Sequence, residues 1–261
     1  MEISVDELER AAAPGWRGCA EEHLGDWLLR AADGFTGRAN SALAVGDPGV
    51  PHAEAARQVR TWYAARGLPA MIAVPFPLAN PGASQTDRTL ARLGWTIRAD
   101  AAIMMTAEAR DVTAAASAEL PGRTAGSWRV EIDSAPDQDW LAQYHYRGMQ
   151  QLPPVALKVL SSAPWQAFAS IRADGETIAI GRVAGDDQWA GLTAIEVDPQ
   201  HRRRGLGAAV TAALTAHAAD RGAMNIYLQV TSGNSAARAL YRRIGFTDHH
   251  GYHYRVEPAR G

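Results

Sequence analysis

The chain reads as an α+β protein, a mixed and mostly antiparallel sheet flanked by helices and arranged as two related halves. Three observations predict this. Between Trp165 and Pro199, three strand-like runs (WQAFASIR, TIAIGRV and QWAGLTAIEVDP) are separated by the turn signals Asp174-Gly175 and Gly185-Asp186-Asp187, which suits an antiparallel meander. The period then changes, because AAVTAALTAHAADR places Val210, Leu214 and Ala218 at helical spacing and ends at Gly222. Short landmarks also recur: Arg66-Gly67 precedes a strand as Arg221-Gly222 does, and Leu93-Gly94-Trp95-Thr96 mirrors Ile244-Gly245-Phe246-Thr247 at nearly the same offset.

Composition narrows the classes of function. The 261 residues, 47% hydrophobic and 21% charged, suffice for one large core or two smaller ones. A formal net charge of -2 gives no overall case for binding nucleic acid, an anionic membrane or a strongly charged partner. The one cysteine, Cys19, excludes an intrachain disulfide. The opening MEISVDELERAAAPGW is too acidic and polar for a secretory signal, so a cytoplasmic location is expected. No apolar run approaches the roughly 20 residues that span a bilayer.

In chain order, residues 1–107 form the first half. Strand-like WLLR and the run FTGRANSALAV lead to Gly46-Asp47-Pro48, then to helix AEAARQVRTWYAARG, strand PAMIAVP, a helix around Asp87 to Arg92, and LGWTIR. Residues 108–127, EARDVTAAASAELPGRTAGS, are small and include Pro121, Gly122 and Gly126, which predicts a linker with little surface to bury. The second half, 128–261, opens with a strand from Trp128 to Ile132. A helix capped by Ser134 or Asp137 follows, then a short helix from Val155 to Leu160. After the meander and its helix come strand MNIYLQV, a helix capped by Asn234 and stopped by Gly245, and a hairpin-like stretch ending in GYHYRV.

The sharpest chemical signal is IEVDPQHRRRGLGAAVTAAL: a strand, a turn at Asp198-Pro199, a loop carrying Arg202, Arg203, Arg204, Gly205, Leu206 and Gly207, and a helix. Glycines at a helix start let main-chain N–H groups converge, and the positive end of the helix dipole attracts anions. Arginines beside them can meet phosphate oxygens with forked hydrogen bonds. The pattern reads as a diphosphate cradle. It is neither the dinucleotide fingerprint, because Val210 stands where the third glycine belongs, nor a Walker loop.

These residues resemble the Gcn5-related N-acetyltransferases. Arg202, Gly205 and Gly207 match the family's Arg/Gln-x-x-Gly-x-Gly/Ala, and Asn234, Ala237, Leu240 and Tyr241, followed by Gly245-Phe246, look like its second signature. The resemblance implies that fold and an enzyme moving an acetyl group from acetyl-CoA to a primary amine of a small molecule or peptide, by direct attack. It implies that Ile195 and Val197, on a strand splayed from the next, offer main-chain groups to the pantetheine arm, with the Val197 N–H facing the acetyl carbonyl. Tyr241 would protonate the thiolate. Asn234 would bond the pantetheine arm or simply cap its helix, and the alternative role for Tyr241 is core filling. Glu196 is the candidate base if its side chain points toward the acceptor, with ordered water as the other route. The first half resembles the degenerate half of tandem members of the family: GDPGVPHAE lacks arginine and carries Pro48 and Pro51, so it offers a diphosphate little to bind.

Other residues are open to two readings. Phe35, Thr36, Arg38, Asn40 and Ser41 would read a polar acceptor or tie the halves together. The resemblance implies that Tyr144, Tyr146, Arg147 and Met149, after the first helix of the second half, line the acceptor pocket; His249, His250 and His253 are further candidates, and their irregular spacing argues against a metal site. No metal, nucleic-acid or membrane partner is expected. A non-catalytic acyl-CoA sensor is the alternative from another class, and the run Arg202 to Arg204 as a nucleic-acid patch is a third.

Overall fold

In the computed structural model, residues 3–82, 84–99, 101–119, 128–145, 148–149, 151–186 and 188–258 are described. Ser4 starts the first helix: its hydroxyl accepts from the Glu7 N–H at 3.2 Å while Glu7 Oε2 accepts from the Ser4 N–H at 2.9 Å. This reciprocal cap opens α1 (Val5–Ala12) in the acidic opening segment, for which patterning predicts no element. A hairpin of β1 (Ala20–Leu24) and β2 (Trp27–Ala31) follows. The run FTGRANSALAV is mostly not strand. Asn40 accepts from the N–H groups of Ala32 and Gly34 and donates to the carbonyls of Phe35 and Thr36. One side chain thus takes over bonds a neighbouring strand would make, leaving a 3-10 turn at Arg38–Asn40 and the two-residue β3 (Ala42–Leu43). Next come α2 (His52–Ala64), β4 (Met71–Pro77) parallel to β3, α3 (Gln85–Arg92) and β5 (Thr96–Ile97).

The predicted linker also departs from expectation. After β6 (Ala102–Glu108), the residues predicted as linker form α4 (Ala109–Glu119), with Val112 and Ala116 fully buried in the cluster that also holds Ala208, Ala209 and Leu214. Small side chains bury surface here through close approach of two helices, not through size. Residues 120–127 of the expected linker lie outside the described residues.

The second half follows its predicted order: β7 (Val130–Asp133), α5 (Gln138–Gln143) capped by Asp137, α6 (Val155–Leu160), and the meander β8 (Trp165–Ala173), β9 (Glu176–Asp186) and β10 (Trp189–Val197). Then come α7 (Leu206–Ala219), β11 (Asn225–Thr231) and α8 (Ser235–Arg243). The last stretch is one strand, β12 (Thr247–Val256), and not a hairpin. Its Gly251 makes room for a ring instead of a turn: a Cβ there would sit 2.4 Å from the Phe76 ring.

Among the described residues, the strands join one twelve-stranded sheet in the order β1-β2-β3-β4-β12-β6-β11-β10-β9-β8-β7, with β5 beside β12. The halves have therefore exchanged strands. β6 of the first half pairs with β11 from Asn225↔Glu108 to Thr231↔Ala102, while β12 of the second pairs with β4 from His250↔Pro77 to Val256↔Met71. The strand registers and core clusters place α2, α3, α4, α7 and α8 on one face and α1, α5 and α6 on the other. Arg255 and His253 of β12 both meet Asp87 of α3, Arg255 with two bonds of 2.8 and 2.9 Å and His253 with one of 2.6 Å.

Candidate active site

β10 and β11 are parallel neighbours only from Trp189↔Asn225 to Leu192↔Leu228. Beyond Leu192 they part. The cause lies in β10, whose register against β9 shifts between Thr193 and Glu196, with Ala194 at φ 53°. A bulge bends its strand and increases the twist, and here it swings the end of β10 away from β11. The Asp198 N–H donates back to Ile178 at 2.9 Å. By the alternation of an antiparallel ladder, the N–H of Val197 then faces away from β9, into the opening.

Two cavities meet at that opening. The smaller, about 360 Å³, lies toward the α5 face and is lined by Thr193, Gln229 and Tyr144 among others; the larger, about 890 Å³, lies toward α7 and is lined by Val197, Gly205, Gly207 and Leu240 among others. They share His145, Ile195, Glu196, Asn234, Ala237 and Tyr241. The shared residues form the throat of one passage through the sheet.

At the α7 end, Gly205 takes φ 83° and serves as N-cap. No side chain caps this helix, and no described residue accepts from the N–H groups of Leu206, Gly207 or Ala208. A Cβ on Gly207 would approach Leu240 Cδ2 to 3.2 Å, so its absence keeps the first turn open. The Leu206 side chain, 2% exposed, is a core residue, so it can offer a ligand only its main chain. Arg202 and Arg203 line the larger cavity, and Arg202 donates from Nε to the Val197 carbonyl at 3.3 Å. Arg204 lines neither cavity. The side chains of Ile195 and Val197 pack toward the α7 core, leaving their main chain to the opening.

At the throat, Tyr241 is buried and burial pushes its phenol up to about 12, so it is a proton donor at neutral pH. Asn234 is the N-cap of α8, accepting from the Ala237 N–H at 3.1 Å, and still lines both cavities. Glu196 points to the α5 face. Its Oε2 accepts from the His145 N–H at 3.1 Å. Burial raises its carboxyl above the usual range, and this outweighs the opposing effects of His145 and Arg202. A raised carboxylate is a better proton acceptor near neutrality.

Other candidates fall away from the passage. His250 is bonded to Glu9 at 2.9 Å, His249 to the Ile3 carbonyl at 2.9 Å and His253 to Asp87, and none of the three lines either cavity. Tyr252 and Tyr254 line the smaller cavity instead: alternation turns His253 to the opposite face, and His250, on the same face as the two tyrosines, is taken up by Glu9. Met149 lines neither cavity, and Tyr146 and Arg147 lie outside the described residues. Thr36 and Arg38 do reach the smaller cavity, whereas Phe35, Asn40 and Ser41 do not. Trp16, Arg98 and His145 also reach it, and patterning does not reveal them because only the tertiary fold brings their segments together.

A sheet that opens between two parallel strands, one of them running into a glycine-led helix, is the architecture of the Gcn5-related N-acetyltransferases, and the protein is an acyltransferase of that class. The chain belongs to the family described as probable histone acetyltransferase Rv0428c, C-terminal, whose model matches residues 3–255. It is 29% identical over 256 residues to the uncharacterized N-acetyltransferase YobR of Bacillus subtilis, covering 97% of this chain and 98% of that protein. It is 30% identical over 263 residues to the probable histone acetyltransferase Rv0428c of Mycobacterium tuberculosis, covering 98% of this chain and 74% of that protein. Among solved structures, a GCN5-related N-acetyltransferase from Kribbella flavida shares the fold with a TM-score of 0.72 at 20% identity, over 99% of this chain and 98% of that one. Among the described residues, no helix is long and apolar enough to cross a membrane, and no group of three or more His, Cys, Asp or Glu is placed to hold a metal ion.

Proposed function

We propose that the enzyme transfers the acetyl group of acetyl-CoA to a primary amine of a small molecule or peptide, by direct attack at one site per chain. The observation that carries this reading is the shared throat: a proton acceptor, Glu196, and a proton donor, Tyr241, stand where a cavity ending in unpaired helix N–H groups meets a second cavity open to an acceptor. The residues present fit the coenzyme. The free N–H groups of the first turn of α7, with Arg202 and Arg203, would hold its diphosphate, and the unpaired edge of β10 would hold its pantetheine arm. When bound, acetyl-CoA supplies an acyl group activated as a thioester. The Glu196 carboxylate takes a proton from the acceptor ammonium, the free amine adds to the acyl carbon whose oxygen faces the Val197 N–H, and the C–S bond breaks as the Tyr241 hydroxyl delivers a proton to sulfur, the nitrogen's surplus proton passing back to the Tyr241 oxygen.

The corresponding loop in the first half is less suited to an anion. The Asp47 N–H donates to Asp26 Oδ2 and the Gly49 N–H to Asp47 Oδ1, each at 2.9 Å, and Glu54 adds charge to the first turn of α2. Carboxylates already occupy donors a diphosphate would need.

Thiol release from acetyl-CoA over a panel of amino acids, amino sugars, polyamines and peptides tests the reading. Tight coenzyme binding without thiol release from any acceptor would instead identify a sensor. In Tyr241→Phe, kcat is expected to fall by about 10²-fold, the lower range for a lost general acid, with coenzyme affinity by calorimetry unchanged. Glu196 must be ionised to accept a proton, so kcat/KM is expected to climb as pH rises through its raised pKa. Glu196→Gln should remove that acid limb from the pH profile and keep the limb set by the acceptor amine. A profile identical to wild type would assign the base to water.

A further inference from the structure

The wall of the smaller cavity away from Glu196 is built by the first half and β12, and it is cationic. Arg38 and Arg98 both line it, beside Tyr252 and Tyr254. The Nε atoms of both arginines are sealed from solvent and have no hydrogen-bond partner. Among the described residues, neither guanidinium has a carboxylate oxygen within 4.0 Å. Their other contacts orient without neutralising: Arg38 lies 5.4 Å from the centre of the Trp16 ring, and Arg98 lies 4.3 Å over Tyr254 and reaches Met71 Sδ at 3.4 Å.

Nearby charges do not relieve this surplus. Glu9, the buried carboxylate on this face, is bonded to His250 and acts on Arg38 only from beyond ion-pair distance. Arg182, fully buried, adds a further positive charge and is held by the carbonyls of Leu160 and Gly15 instead of by an acid. Guanidinium stays charged in proteins, and a half-buried guanidinium with no acid beside it favours an anion in the cavity it lines. The forked donors of arginine match the two oxygens of an oxyanion.

Resting on the transfer reaction proposed above, we infer that the acceptor carries an oxyanion, a carboxylate or a phosphate, as well as its amine, and that Arg38 and Arg98 hold that oxyanion while Glu196 meets the amine. The acceptor is then a compact molecule with opposite charges at its ends. A polyamine or a lysine-rich peptide tail meets like charge on this wall and is disfavoured.

Acceptors matched except for the anion test this. With acetyl-CoA and thiol release as readout, β-alanine is compared with β-alaninamide, phosphoethanolamine with ethanolamine, and both pairs with spermidine. The anionic member of at least one pair is expected to show kcat/KM at least about 10-fold above its neutral partner, and which pair does so separates carboxylate from phosphate. Arg38→Gln and Arg98→Gln are expected to drive that ratio toward one, chiefly by raising KM for the anionic member, with Arg38→Lys retaining part of it. The wild-type ratio needs no variant, so a variant that fails to fold leaves the test standing. Neutral amines turned over as well as their anionic partners, or spermidine preferred, would overturn the inference while leaving the transferase reading intact. Absence of thiol release from every acceptor would overturn the transferase reading itself.

Discussion

Gly207→Asp is expected to weaken coenzyme A binding by at least about 100-fold, measured by calorimetry. The first turn of α7 is the proposed anion site, because its N–H groups have no partner among the described residues and Gly205 leaves the turn uncapped. A carboxylate placed there competes for the same donors and repels a diphosphate, and two charges about 4 Å apart near a protein surface interact by about 4 kcal/mol, more than the roughly 2.7 kcal/mol that 100-fold requires. The helix itself favours an acidic residue in its first turn, so the loss is one of binding and not of folding. Gly207→Ala separates bulk from charge. Its Cβ would lie 3.2 Å from Leu240 Cδ2, a contact that a few tenths of an ångström of movement relieves, so a much smaller loss is expected. Gly205→Asp adds strain, because at φ 83° a side chain costs about 1–2 kcal/mol of backbone energy. Unaltered affinity in both aspartate variants would remove the cradle from the mechanism.

Residues 128–261 expressed alone are expected neither to fold nor to bind coenzyme. The isolated piece keeps every residue of the cradle and throat. It loses β6, the neighbour of β11 along its full length, and leaves β12 without β4, β5 or β6. It also loses Ile103, Met105, Val112 and Ala116 from the core cluster that contains Tyr241. Stripped edges and a hollowed core leave little to offset chain entropy. Far-UV circular dichroism should show an unfolded chain, and co-expression with residues 1–127 as a separate polypeptide should restore binding. A folded, coenzyme-binding 128–261 fragment would show that the exchanged strands are dispensable.

How far the fold was legible in the sequence follows from where each element lies in the sheet. The meander was clear because turn residues separate its strands, and α6 because its apolar positions suit a helical turn. β6 gave no signal, since Ile103, Met104 and Met105 are buried in succession and a strand covered on both faces has no alternation to detect. α4 hid for another reason, its small residues resembling a tether until a second helix is there to receive them. At the site, the glycine loop and Tyr241 could be named because two local motifs carry them, and Glu196 because it lies on the strand before the loop; the register past the bulge at Ala194 turns Glu196 to the α5 face. Arg98, Trp16 and His145 belong to segments that only the exchanged sheet brings together. No spacing within one segment encodes them.

The reciprocal strand exchange also sets a schedule for biosynthesis. As the polypeptide leaves the ribosome, β4 emerges long before its neighbour β12, and β6 finds neither β11 nor β12 until most of the chain has been made. Bare backbone edges persist through nearly the whole of translation, a state prone to association with other unfinished chains. A premature stop before residue 247 would leave the centre of the sheet open, so shortened products are destined for aggregation or proteolysis instead of accumulating as a smaller enzyme.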